Sequence, residues 1–184
     1  MARDARLKLL TAAFDFTSPP PKGRSVTMAA RVLFCDAMSA DARDIQAQDP
    51  GARVPGGRAH GPVAQNPKLL EIATWNTGKP SDLREYGTRT HAENQFYEFM
   101  RGKKFDHVDI ELSHSPCTGC CDLLAGLLRG SKATGTLCWA RPYEWGIQAT
   151  TSFALMELLK AGWKLAAPAD AIPGGATGLP IRRL

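Results

Sequence analysis

The sequence predicts an α/β sandwich, and two observations predict it. From residue 69 onward, short runs of β-branched and apolar residues take turns with longer segments that carry one apolar face, the alternation that builds a layered α/β domain. The last of those longer segments separates two strand-like runs by far more residues than a hairpin needs, so these two strands run parallel. With 184 residues and 43% hydrophobic content, the chain can bury one substantial core but is short for two catalytic domains.

Taken in order, "ARDARLKLLTAAF" near the start reads as an amphipathic helix. "SVTMAARVLFCDAM" carries β-branched and apolar residues over a length that suits one strand or a short helix. Around it, "TSPPPKG" and "DPGARVPGGRAHGPVAQNP" are rich in Pro and Gly and read as loop or connector. Residues 1–68 are therefore read as an N-terminal extension, partly loop-rich, and 69–184 as the core. "KLLEIATWNTGK" is a strand closed by a Gly-containing turn, and "THAENQFYEFMRGK" a helix with Thr90 as N-cap and Gly102 as its stop. "HVDIELS" alternates as a strand does, and "PCTGCCDLLAGLLRG" follows as a helix with Pro116 near its first turn and Gly130 at its end. "GTLCWARPY" is a strand, "TTSFALMELLKAG" a helix, and "WKLAAP" a last short strand. The tail "IPGGATGLPIRRL" reads as loop.

Charge and cysteine usage narrow the chemistry. The net charge is +5, and ten basic against six acidic residues place +4 of it within residues 1–68. A solvated leader accounts for that excess, and a docking arm for an anionic partner is the sharper alternative. No run of about 18 uncharged apolar residues occurs, so no membrane-spanning helix is expected, and the charged N-terminus lacks the core of a signal peptide. A cytoplasmic protein is the expectation, in the target cell if it is delivered there. Five cysteines, three of them within "PCTGCC", argue for reduced thiols or metal ligands rather than a disulfide scaffold.

The decisive pattern is "HAE" at 91–93, twenty-two intervening residues, then "PCTGC" at 116–120. Alone, either motif has ordinary explanations; together, each opens a predicted helix after a strand. His91, Cys117 and Cys120 supply one nitrogen and two sulfurs, a set that suits a tetrahedral zinc ion, one per chain, with its fourth position open to water. Glu93, two residues beyond His91, can face that position without ligating and move protons as a general acid and base. His-x-Glu followed by Pro-Cys-x-x-Cys is the signature of zinc-dependent nucleobase deamination. Cys121 competes with Cys120, because i+3 and i+4 from Cys117 share one helix face. The spacing favours Cys120 and leaves Cys121 as a small buried residue, with Cys35 and Cys138 expected in the core.

The stretches "HAE", "SHSPCTGC" and "WARPYEW" resemble the cytidine deaminase superfamily, and within it the AID/APOBEC branch and the related bacterial polymorphic-toxin deaminases. The resemblance covers about residues 69 to 166. It departs at His114, where the AID/APOBEC pattern Ser-Trp-Ser-Pro-Cys-x-x-Cys has tryptophan, which bears on the pocket wall and the base preference. The resemblance implies an α/β/α sandwich on a five-stranded mixed sheet with the last two strands parallel. It implies deamination of cytosine in single-stranded DNA, since relatives acting on free nucleosides join those strands by a hairpin. It further implies that Tyr143 and Trp145 pack on the target and the preceding nucleotide, and that His114 forms part of the pocket wall. Arg141 would meet a phosphate, and Asn76 the sugar or base. The richness in Ala, Gly and Arg points to a bacterial toxin or effector domain, with an immunity protein as its inhibitor. Two rival readings stand beside it. One is a deaminase of RNA or free nucleotides; the other is a zinc-stabilised nucleic-acid-binding module, for which His114 is the candidate fourth ligand.

Overall fold

The computed structural model describes residues 8–9, 26–36, 68–76, 91–142, 148–172 and 176–184. Its elements run β1 (Thr27–Phe34), β2 (Leu69–Trp75), α1 (Ala92–Met100), β3 (Phe105–Leu112), α2 (Thr118–Leu128), β4 (Thr134–Trp139), α3 (Gln148–Lys160), β5 (Trp163–Ala167) and β6 (Arg182–Arg183). The strands form one mixed sheet in the order β2-β1-β3-β4-β5-β6. β1 is antiparallel to both β2 and β3, whereas β3, β4, β5 and β6 are parallel to one another. The two strands that flank α3 are therefore parallel, as the long separation between them predicts.

The sheet has six strands rather than the expected five. β6 consists of Arg182 and Arg183 alone, and two consecutive arginines carry no apolar alternation by which a strand is read. Within the segment "SVTMAARVLFCDAM", residues 27–34 form strand β1, seated between β2 and β3. Residues 27–34 of the N-terminal extension thus share a sheet with the motif-bearing part of the chain.

One face of the sheet builds the core. Met28, Ala30, Val32 and Phe34 of β1 turn inward with Val108, Ile110 and Leu112 of β3 and Leu137 and Trp139 of β4. Against them pack Phe96 and Met100 of α1, Leu124 and Leu128 of α2, and Leu155 and Leu158 of α3. All three helices therefore cover the same face. On the opposite face the described helical residues are Lys8 and Leu9 alone, the latter packed near Ala29, Cys138, Ala140 and Leu184, so the second helical layer of the expected sandwich is not shown among the described residues. Trp139 and Trp163, buried among the described residues, satisfy their ring N–H groups, Trp139 donating to the Ala171 carbonyl at 2.8 Å and Trp163 to that of Leu124 at 2.9 Å.

Gly102 and Gly130 end α1 and α2 with positive φ, +76° and +74°, where a side chain would be strained. Gly135 in β4 answers a different need. A Cβ there would stand 2.7 Å from the Trp163 ring and 3.0 Å from Leu128 Cδ1, both in the core. Gly135→Ala is expected to destabilise the protein by about 1–3 kcal/mol through overpacking. Urea unfolding measures it; an unchanged midpoint would mean that Trp163 moves aside freely.

The topology positions the site. β2, β3, β4 and β5 all point one way, so the helices that follow β2 and β3 begin at the same end of the sheet. His91 and Cys117 stand at those two beginnings.

Candidate metal centre

His91 is the N-cap of α1, in place of the expected Thr90, and Cys117 is the N-cap of α2. Thr90 itself lies outside the described residues. Neither side chain makes a capping hydrogen bond; the His91 ring turns to the cysteines of α2 instead. His91 Nδ1 stands 3.2 Å from Cys120 Sγ and 3.6 Å from Cys117 Sγ. The three ligand atoms lie within 4.8 Å of one another, and among the described residues this is the one group of His, Cys, Asp and Glu able to hold a metal ion. Cys120 is fully buried, while His91 and Cys117 are half-buried.

The competition between Cys120 and Cys121 resolves in the geometry. Cys121 is buried among core residues, its thiol directed at the Pro116 carbonyl at 3.9 Å, and it stands outside the cluster. Cys35 and Cys138 are half-buried rather than in the main core. The Cys35 thiol donates to Asp106 at 3.3 Å, and Cys138 faces the opposite side of the sheet.

The electrostatics separate the two cysteines. A hydrogen bond from Cys120 holds the Cys117 thiol down at about 4, aided by His91 and opposed by burial. The positive end of α2 favours the same thiolate. The same hydrogen bond, with burial and the Glu93 carboxylate, pushes Cys120 well above its ordinary range. The hydrogen bond with Cys117 raises His91. Between them stands a nearly dissociated thiol of the kind a metal ion selects.

Glu93 is only 2% exposed. Burial pushes its carboxyl up to about 7, against the opposing effects of its own backbone N–H, His91 and the Cys120 thiol. Its Oε2 has no hydrogen-bond partner, and no other buried side-chain N or O atom among the described residues is left so. An orphaned carboxylate oxygen at such depth is costly unless something arrives to bond it. One nitrogen, two sulfurs and this waiting oxygen fit a zinc ion with three protein ligands and an open fourth position.

A pH dependence follows. Because the folded value lies above the ordinary 4.5, the stability that Glu93 contributes is fully present below pH 4.5 and is lost as pH rises through 7. In metal-free protein, Glu93→Gln is expected to raise stability at pH 8 more than at pH 5, by up to about 3 kcal/mol. Urea unfolding at both pH values checks this, and an equal effect at both would mean the carboxylate is not desolvated.

Of the residues that the resemblance assigns to substrate, Asn76, His114 and Arg141 are described, and they follow β2, β3 and β4 at the same end of the sheet. Asn76 follows β2; its Oδ1 accepts the Ala92 N–H at 2.9 Å, and its own N–H donates to Val26. His114 is half-buried, with Nδ1 3.0 Å from Ser113 Oγ, a hydroxyl that also accepts the Thr27 N–H. His114 is not in the group able to hold a metal ion, and among the described residues no fourth His, Cys, Asp or Glu joins it. Arg141 is exposed, and its carbonyl accepts the Ser115 N–H at 2.8 Å, tying the segment that leads from β3 to Cys117 to the segment after β4. Tyr143 and Trp145 lie outside the described residues. Two further buried polar side chains lie beside the site, and of these only Ser115 falls within a motif of the sequence. Buried Thr74 donates from Oγ1 to the Ala92 carbonyl at 2.9 Å, and Ser115 is almost fully enclosed. A threonine in a strand is an ordinary β-former, so nothing in the pattern marks Thr74 out. No protein-family model matches the chain, and no curated protein does.

Proposed function

We propose that the protein is a zinc-dependent deaminase that converts cytosine to uracil in single-stranded DNA, serving as the effector domain of a bacterial toxin. The observation that carries this reading is the buried Glu93 carboxylate, held near neutrality with one oxygen unpartnered beside a nitrogen-and-two-sulfur ligand set. A carboxyl of that kind both accepts and returns a proton at cellular pH.

His91, Cys117 and Cys120 would hold the ion. Zinc in such a site supplies a Lewis acid that brings the pKa of water towards neutrality. Glu93 takes a proton from the attacking water and delivers it to ring nitrogen N3 as the C4–O bond forms. It then carries the second water-derived proton to the exocyclic amine as the C4–N bond breaks, releasing ammonia and restoring the carboxylate. Burial excludes the bulk water that would otherwise level its pKa.

The parallel arrangement of β4 and β5 across α3 supports a polynucleotide over a free nucleoside, by the resemblance stated above. A single strand supplies an unpaired base at little cost. In this reading His114 walls the pocket, Arg141 meets a phosphate, Asn76 approaches the sugar, and Tyr143 and Trp145 stack on the target and its neighbour. Toxin delivery accords with the Ala, Gly and Arg richness, and an immunity protein would be the natural partner.

The test is deamination of a single-stranded DNA oligonucleotide with cytosines in varied contexts, read by uracil glycosylase and alkaline cleavage. Matched RNA and duplex DNA run beside it, with Glu93→Ala as control. Cleavage of single-stranded DNA by the wild type alone is expected. Product on RNA only would overturn the substrate, and no product from zinc-loaded protein on any of them would overturn the activity.

A further inference from the structure

Ala92 has no functional side chain, yet it stands between the ligand His91 and the acid–base residue Glu93. Its backbone is held at both polar atoms by the same strand end. Asn76 Oδ1 accepts the Ala92 N–H, and Thr74 Oγ1 donates to the Ala92 carbonyl, each at 2.9 Å. Neither bond is a routine cap, since the N-cap of α1 is His91 and its side chain faces the cysteines instead. Strand β2 is anchored in turn, because the Asn76 N–H donates to Val26 and Thr74 pairs with Met28 of the fully buried part of β1.

We infer that Thr74 and Asn76 form a two-point clamp on Ala92 that fixes His91 and Glu93 relative to each other and to Cys117 and Cys120. Both are positioning residues for the metal and the acid–base carboxylate, and the inference rests on the deaminase reading only for its catalytic part. One bond alone leaves the peptide free to rotate about it. Two bonds, to the N–H and the carbonyl of one residue, fix the orientation of the first turn of α1. A misplacement of about 1 Å at a reacting group costs about 10²-fold in rate. Loss of the partners that orient a metal ligand costs about 10–100-fold in affinity.

The test compares Thr74→Val, which keeps the shape and removes the hydroxyl, with Thr74→Ser, which restores it. Zinc affinity is measured by competition with a chromophoric chelator, and kcat and KM on a cytosine-containing single-stranded oligonucleotide. Thr74→Val is expected to bind zinc about tenfold or more weakly and to lose about 10²-fold in kcat with KM little changed. Thr74→Ser is expected to recover both. Asn76→Ala and Asn76→Asp form a second pair, read by zinc affinity alone, and they decide the matter if Thr74→Val fails to fold. Wild-type zinc affinity in both Thr74→Val and Asn76→Ala would overturn the clamp, as would a serine variant as impaired as the valine one. If the wild type does not deaminate, the proposed function falls while the zinc measurements still decide the clamp.

Discussion

On the proposed deaminase reading, Glu93→Gln is expected to lower conversion of cytosine to uracil by about 10²–10⁴-fold or more, with zinc binding kept. The substitution keeps the volume and most of the polarity of the side chain in a site that is 2% exposed, so packing is not the variable. What it removes is a group that titrates near pH 7, held there mainly by burial. The glutamine amide cannot take a proton from water and return it to the ring nitrogen and the leaving amine. Because Glu93 is not among the grouped ligands, metal content should not follow the activity down. Zinc quantification beside the oligonucleotide assay separates these two. Retained activity would remove Glu93 from the mechanism, and parallel loss of zinc would make it a structural member of the site.

How much of this was legible in the sequence depends on whether a residue acts through its own local pattern. His91, Cys117 and Cys120 could be read because their types and spacing carry the chemistry, and Gly102 and Gly130 because a positive φ leaves few alternatives to glycine. Spacing favours Cys120 over Cys121, and the structure supplies the reason: the one additional residue turns Cys121 into the core with Leu124 and Ala125. A hydroxyl is a usual cap, which points to Thr90, whereas the cap position goes to His91, whose ring turns to the sulfurs. β1 was recognisable as apolar, but its place between β2 and β3 is set by pairings across the loop-rich segment that follows it, which no local pattern encodes. β6 is too short to carry a period. Thr74 is invisible for a related reason, since its role exists only once strand β2 meets the first residue of α1.

Cys120→Ser and Cys121→Ser, neighbours in sequence, should behave in opposite ways. Cys120→Ser, like Cys117→Ser, is expected to lose zinc and all activity, because a neutral hydroxyl does not replace the thiolate in a site built of one nitrogen and two sulfurs. Bound metal also stabilises the fold by mass action, about 2.7 kcal/mol at a free zinc concentration one hundred times the Kd. Chelation should therefore lower the melting temperature of the wild type and leave that of Cys120→Ser unmoved. Cys121 lies in the apolar core with only a long contact to the Pro116 carbonyl. A serine hydroxyl there costs about 1–3 kcal/mol as a poorly satisfied buried polar group, yet zinc content and sensitivity to chelator should persist. Loss of metal from the Cys121 variant alone would exchange the two assignments and turn α2 by one residue relative to His91. Loss from both would mean that the first turn of α2 reorganises around the ion, and the orphaned oxygen of Glu93 would then need a different partner.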